Sequence, residues 1–131
     1  VSVDLDVDGS VWIAERQHHE VSGSQDRLIK LSSTGEMLAA VPLDFSPNAL
    51  RVDKDRGYVW VASWDGLYKF DRNGKQVLQF SGVRSFTLAM DPEDGSVWTT
   101  DDGRIRHLSS TGIDITSTDG FSGYQDYIAI P

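Results

Sequence analysis

The chain repeats itself. ALRVDKDRGYVWVASWDGLYKFDRNGKQVLQF (49–80) returns as TLAMDPEDGSVWTTDDGRIRHLSSTGIDITS (87–117). Val59 and Trp60 correspond to Val97 and Trp98, Leu67 to Ile105, Phe70 to Leu108 and Gly74 to Gly112, every pair displaced by 38. An earlier unit carries the same front half as SVDLDVDGSVWIAE (2–15) and the same back half as RLIKLSSTGEMLAAV (27–41). Its LSSTG at 31–35 recurs letter for letter at 108–112. Trp12 and Gly35 lie 23 apart, against 14 for Trp60–Gly74 and for Trp98–Gly112. The surplus of nine falls within ERQHHEVSGSQD (15–26), which is therefore an insertion. A period near 40 marks one supersecondary unit that cannot bury its own faces and must stack on its neighbours.

Within a unit the sequence reads as four short strands. In the second they are ALRVD, YVWVAS, LYKFD and QVLQF, broken by DKDRG, WDG and RNG. Trp, Tyr, Phe and Val suit a pleated, half-buried surface, and Asp-Gly or Asn-Gly supplies the hairpin turns. No window sustains a helical amphipathic period. Four antiparallel strands per repeat predict an all-β chain of β-propeller blades, with Trp12, Trp60 and Trp98 filling the space between them. Blade 1 is expected at 1–41, blade 2 at 48–80 and blade 3 at 86–117, with the first strand of a fourth at 126–131. Three blades are too few to close a ring. Two readings follow: a piece of a longer propeller, or half of a six-bladed ring closed by a second copy.

Composition narrows the partners. With 39% apolar and 24% charged residues and no cysteine, the chain reads as a soluble globular domain without disulfides, thiolate metal sites or a Cys nucleophile. No apolar run reaches the ~18–20 residues of a membrane span, and VSVDLDVDGSVW is not a secretory leader. Compartment is not legible. A net charge of −8, with 12 Lys and Arg against 20 acids, argues against nucleic acid and leaves a small molecule or a protein as partner.

The stretches LRVDKDRGYVWVAS..GLYKFDRNGK (50–75) and DGSVWTTDDGRIRHLSSTG (94–112) resemble the NHL-type propellers, including the SMP-30/gluconolactonase and virginiamycin B lyase families. The resemblance implies a blade and leaves the function open, because these families differ in their sites. It implies a ligand face made of the loops between the second and third strands of each blade and of the connectors between blades. Those segments are 15–26, 63–66 and 100–103, with connectors 42–48, 81–86 and 119–126. The candidate ligand-face residues are Glu15, His18, His19, Glu20, Trp64, Asp65, Arg84, Asp101, Asp102 and Tyr124.

SMP-30-like lactonases hold a divalent metal with Asn and Asp at the entries to inner strands, often in a PNG motif. Here Ser46-Pro47-Asn48-Ala49 is similar, which makes Asn48 and Asp126 candidate ligands for Ca²⁺, Mg²⁺ or Mn²⁺. The pattern departs at Ala49, at Phe86, which cannot ligate, and at Val1. His18 and His19 are adjacent and diverge in extended backbone, so they do not grip one ion without a turn. His107 takes the slot of Lys30 and Lys69, expected to face solvent. No serine stands in a nucleophile-elbow setting. The expected function is recognition through the loop face, non-catalytic on its own. The alternative is part of a metal-dependent hydrolase, lactonase or lyase completed by further blades.

Overall fold

The computed structural model describes residues 2–16 and 25–119. Twelve strands form three separate four-stranded antiparallel sheets, each a simple meander, and no helix occurs among the described residues. The first sheet runs β1 (Ser2–Leu5), β2 (Val11–Glu15), β3 (Arg27–Leu31) and β4 (Met37–Pro42). The second runs β5 (Pro47–Asp53), β6 (Tyr58–Ser63), β7 (Gly66–Asp71) and β8 (Gln76–Ser81). The third runs β9 (Leu88–Met90), β10 (Val97–Asp101), β11 (Arg104–Leu108) and β12 (Asp114–Thr118). These are propeller blades in an open array. The expected fourth-blade strand lies outside the described residues.

The turns explain why each meander holds its register. Gly35, Gly74 and Gly112 close the third-to-fourth-strand turns with φ of 90°, 83° and 84°, which an L side chain rarely adopts. Each turn follows a bulge at the same repeat position: Lys30/Leu31, Lys69/Phe70 and His107/Leu108. The extra residue locally bends and twists the outer strand in every blade.

Alternation along β6 divides the core in two. Val59 and Val61 join Trp12, Ala14, Leu28, Leu50, Val52, Tyr68 and Phe70 between the first and second sheets. Trp60 and Ala62 join Leu67, Leu88, Val97 and Leu108 between the second and third. Period-two side-chain direction is the cause, since successive residues of a strand face opposite sides. The middle sheet is thus apolar on both faces.

Polar groups stitch the blades together. The outward N–H groups of Leu50 and Val52, on the inner edge of the second sheet, donate to Ser2 Oγ (3.1 Å) and Asp4 Oδ2 (2.8 Å) of the first. On the face of the β5–β6 turn, Arg56 pairs with buried Asp53 (3.4 Å) and donates to the carbonyls of Pro92 and Glu93 in the third blade at 3.2 and 2.8 Å.

Two expectations are corrected here. Lys69 does not face solvent: it is buried between blades, over the Trp60 and Tyr58 rings, and donates to the Ser110 carbonyl at 2.6 Å. His107 likewise lies half-buried and stacked on Trp98 (4.1 Å, 7° between planes), with Nε2 bonded to Ser96 Oγ at 2.9 Å. Both pair directly across the ladder with the Trp of their blade, as does Lys30 with Trp12. The repeat position therefore covers the indole, with an ammonium over its π face in the first two blades and a stacked imidazole in the third. Trp98, expected in the core with Trp12 and Trp60, is only half-buried, because no described sheet follows the third.

Candidate functional site

The β6–β7 and β10–β11 turns share one face with the connectors between blades, as a four-strand meander requires. The connector 82–87 is fixed there residue by residue. Arg84 N–H donates to Asp101 Oδ1 (3.0 Å), Ser85 N–H to the Ser63 carbonyl (2.9 Å) and Phe86 N–H to Thr100 Oγ1 (3.2 Å). The Asn48 amide donates back to the Ser85 carbonyl at 2.9 Å. Beneath them the buried hydroxyls of Ser85 and Thr99 bond to each other, and Val83 plugs the core between blades. Three consecutive backbone amides are thus held by the turns of two blades, a pre-organised floor.

On this floor stands an aromatic pair. Trp64 occupies the two-residue turn between paired Ser63 and Gly66 and meets Phe86 edge to face, with ring centroids 4.2 Å apart and planes at 74°. It is 43% exposed, unlike the buried Trp12 and Trp60. Gly66 is required beneath it, since a Cβ there would meet the Phe80 carbonyl oxygen at 2.5 Å. Asp102, in the matching turn of the third blade, has φ of 49°, a left-handed conformation that Asp tolerates better than most residues. Behind it Asp101 pairs with Arg106 at 3.2 Å, and Arg106 also reaches Asp114 at 2.6 Å.

Toward the first blade the chemistry is more buried. Tyr68 stacks on Phe45 (3.7 Å, 5°) and donates its hydroxyl to Asp65 Oδ1 at 3.0 Å. Burial, reinforced by Asp65, pushes its phenol up to about 12. Ser46 Oγ donates to Asp26 Oδ2 at 2.8 Å, tying the preceding connector down in the same manner.

The fold brings together Asn48, Trp64, Asp65, Arg84, Asp101 and Asp102 from the sequence-derived set. Glu15 ends β2 in the first blade and pairs with Arg27 at 2.9 Å. His18, His19, Glu20, Tyr124 and Asp126 lie outside the described residues. Sequence reasoning passed over Phe86, set aside as unable to ligate, and Tyr68. The signal for Phe86 was its place at the entry to an inner strand. Among the described residues no group of three or more His, Cys, Asp or Glu could hold a metal ion. Two shallow grooves lie elsewhere. One, of about 330 Å³, runs between 41–45 and Phe70, Gly74 and Gln76; the other, of about 290 Å³, is lined by Val52, Lys54, Asp55, Met90 and Pro92.

No protein-family model matches the chain, and no curated protein matches it. Solved structures do. A eukaryotic initiation factor aligns over 89% of this chain and 31% of its own, at 15% identity and a TM-score of 0.68. A protein of unknown function from Desulfotomaculum acetoxidans aligns over 90% and 41%, at 12% identity and a TM-score of 0.73. One from Bacteroides caccae aligns over 90% and 45%, at 12% identity and a TM-score of 0.65. At these identities the likeness establishes the fold alone. The chain spans less than half the length of each of these structures.

Proposed function

We propose that this chain is a recognition module of the NHL/SMP-30-like propeller type, binding a protein or small-molecule partner through its loop face. The observation that carries the reading is an exposed Trp64 set against half-buried Phe86 on a connector fixed by both neighbouring blades. An exposed aromatic on a rigid support offers contact area at little entropic cost, and such groups dominate binding energy. The residues beside it supply charge and hydrogen bonds rather than a nucleophile with its base. The shorter span relative to similar structures fits a part of a longer propeller, in which further blades extend the same face.

Indole ¹⁵N–¹H spectra test the reading. The four tryptophans give four signals, and Trp64→Phe assigns one of them. A panel of basic, acidic and neutral ligands should move the Trp64 signal first. Ligands that bind while perturbing only the opposite, β5–β6 turn face would sink it.

A further inference from the structure

We infer that the notch between the β6–β7 and β10–β11 turns takes a cation, a Lys or Arg side chain from a basic segment of a partner protein, seated against Trp64. The inference rests on the recognition reading and adds the chemistry of the partner.

The notch follows from two consecutive amides. Arg84 N–H holds Asp101 at the base of one turn, and Ser85 N–H holds Ser63 at the base of the other. Arg84 and Ser85 are consecutive, so the two turns flank the connector on either side. Trp64 at one tip and Asp102–Gly103 at the other form opposite walls, with Arg84–Phe86 as the floor.

The walls choose its charge. An indole is the aromatic that attracts a cation most strongly, and Trp64 is accessible. Asp101 is taken by Arg106, whereas Asp102 is exposed and forms no ion pair among the described residues. Asp65 is held on the first-blade side by the Tyr68 hydroxyl and takes no part in the notch. Arg84 is exposed with no described side-chain partner and is offset by Asp102, so the indole and the charge of the whole chain decide the preference. The net charge of −8 adds long-range attraction for a basic segment and repulsion of an acidic one. A sugar could stack on Trp64 and donate hydroxyl hydrogen bonds to Asp102, but would gain nothing from the net charge.

The test uses the full chain and three probes of matched size: a short acetylated peptide rich in Lys and Arg, the same peptide with Glu in their place, and a neutral oligosaccharide. Trp64 is followed by indole NMR and affinity by calorimetry. The basic peptide should move the Trp64 signal and bind more weakly as salt is raised. Trp64→Ala should weaken it about tenfold and Trp64→Phe less, while Asp102→Asn should weaken it about threefold. Arg84→Ala should strengthen it, since a competing cation is removed. If the acidic peptide or the oligosaccharide moves Trp64 and the basic peptide does not, or if Arg84→Ala weakens binding, the cation assignment falls while the recognition reading stands. Basic-peptide binding indifferent to all four substitutions would likewise overturn the assignment. If no probe moves Trp64, both fall.

Discussion

Tyr68 and Lys69 are neighbours in sequence, point into different cores, and titrate in ways that report on those cores. Burial and Asp65 raise the Tyr68 phenol from 10.0 to about 12. A raised folded value means that the neutral form is favoured by folding. The stabilisation is therefore fully present below pH 10 and lost as pH rises through about 12. The absorbance change of phenolate formation in the wild-type chain, less that of Tyr68→Phe, should show a midpoint near 12; a difference titrating near 10 would refute the buried Tyr68–Asp65 contact. Lys69 behaves oppositely, because desolvation pushes its ammonium down. Lys69→Ala removes the donor from the Ser110 carbonyl and leaves a gap beside Trp60, and should cost about 2–3 kcal/mol in urea unfolding. The sequence equated Lys30, Lys69 and His107 correctly but placed them in water. A repeated cation reads as a surface residue until its cross-strand partner is known to be a tryptophan, over which the apolar stem packs and the charge rests.

At the level of elements, the strands were legible and the loops were not. YVWVAS announces β6 because its apolar residues are needed on both sides of a stacked sheet, and the RNG turn announces β8 by its left-handed glycine. Nothing local in SGVRSF says that three of its amides bond to turns roughly 20 residues away on either side. Such bonds are non-local, so the connector reads as ordinary polar loop. The opposite face depends on long-range contacts of the same kind. Arg56 joins the second blade to the Pro92 and Glu93 carbonyls while neutralising a buried carboxylate. Arg56→Ala should therefore destabilise the chain by roughly 2 kcal/mol, less than the loss of a wholly buried pair because the guanidinium is partly in water. Arg56→Lys should recover little, since one ammonium cannot reproduce the fork that meets both carbonyls. Thermal unfolding of the two variants beside wild type checks the expectation.

The whole molecule is an open stack, and its first sheet shows what openness means. By strand register Val3 and Leu5 correspond to Leu50 and Val52, yet they are 54% and 52% exposed where their counterparts are 0% and 2%. Leu50→Ala should cost about 2–5 kcal/mol, and Val3→Thr less than about 0.5, measured on the chain alone. A large loss at Val3 would mean that a further sheet or a second copy already covers that face. The sequence foretold this asymmetry only as a count of blades too small for a ring. The inner edge offers a last consequence. Ser2 and Asp4 occupy the N–H groups through which Leu50 and Val52 could recruit a foreign strand. Hence β5 is shielded from intermolecular sheet growth and from rapid amide exchange, although no described strand pairs with its outer edge. In this chain the guard against aggregation at an exposed edge is built from two short side chains of the blade before.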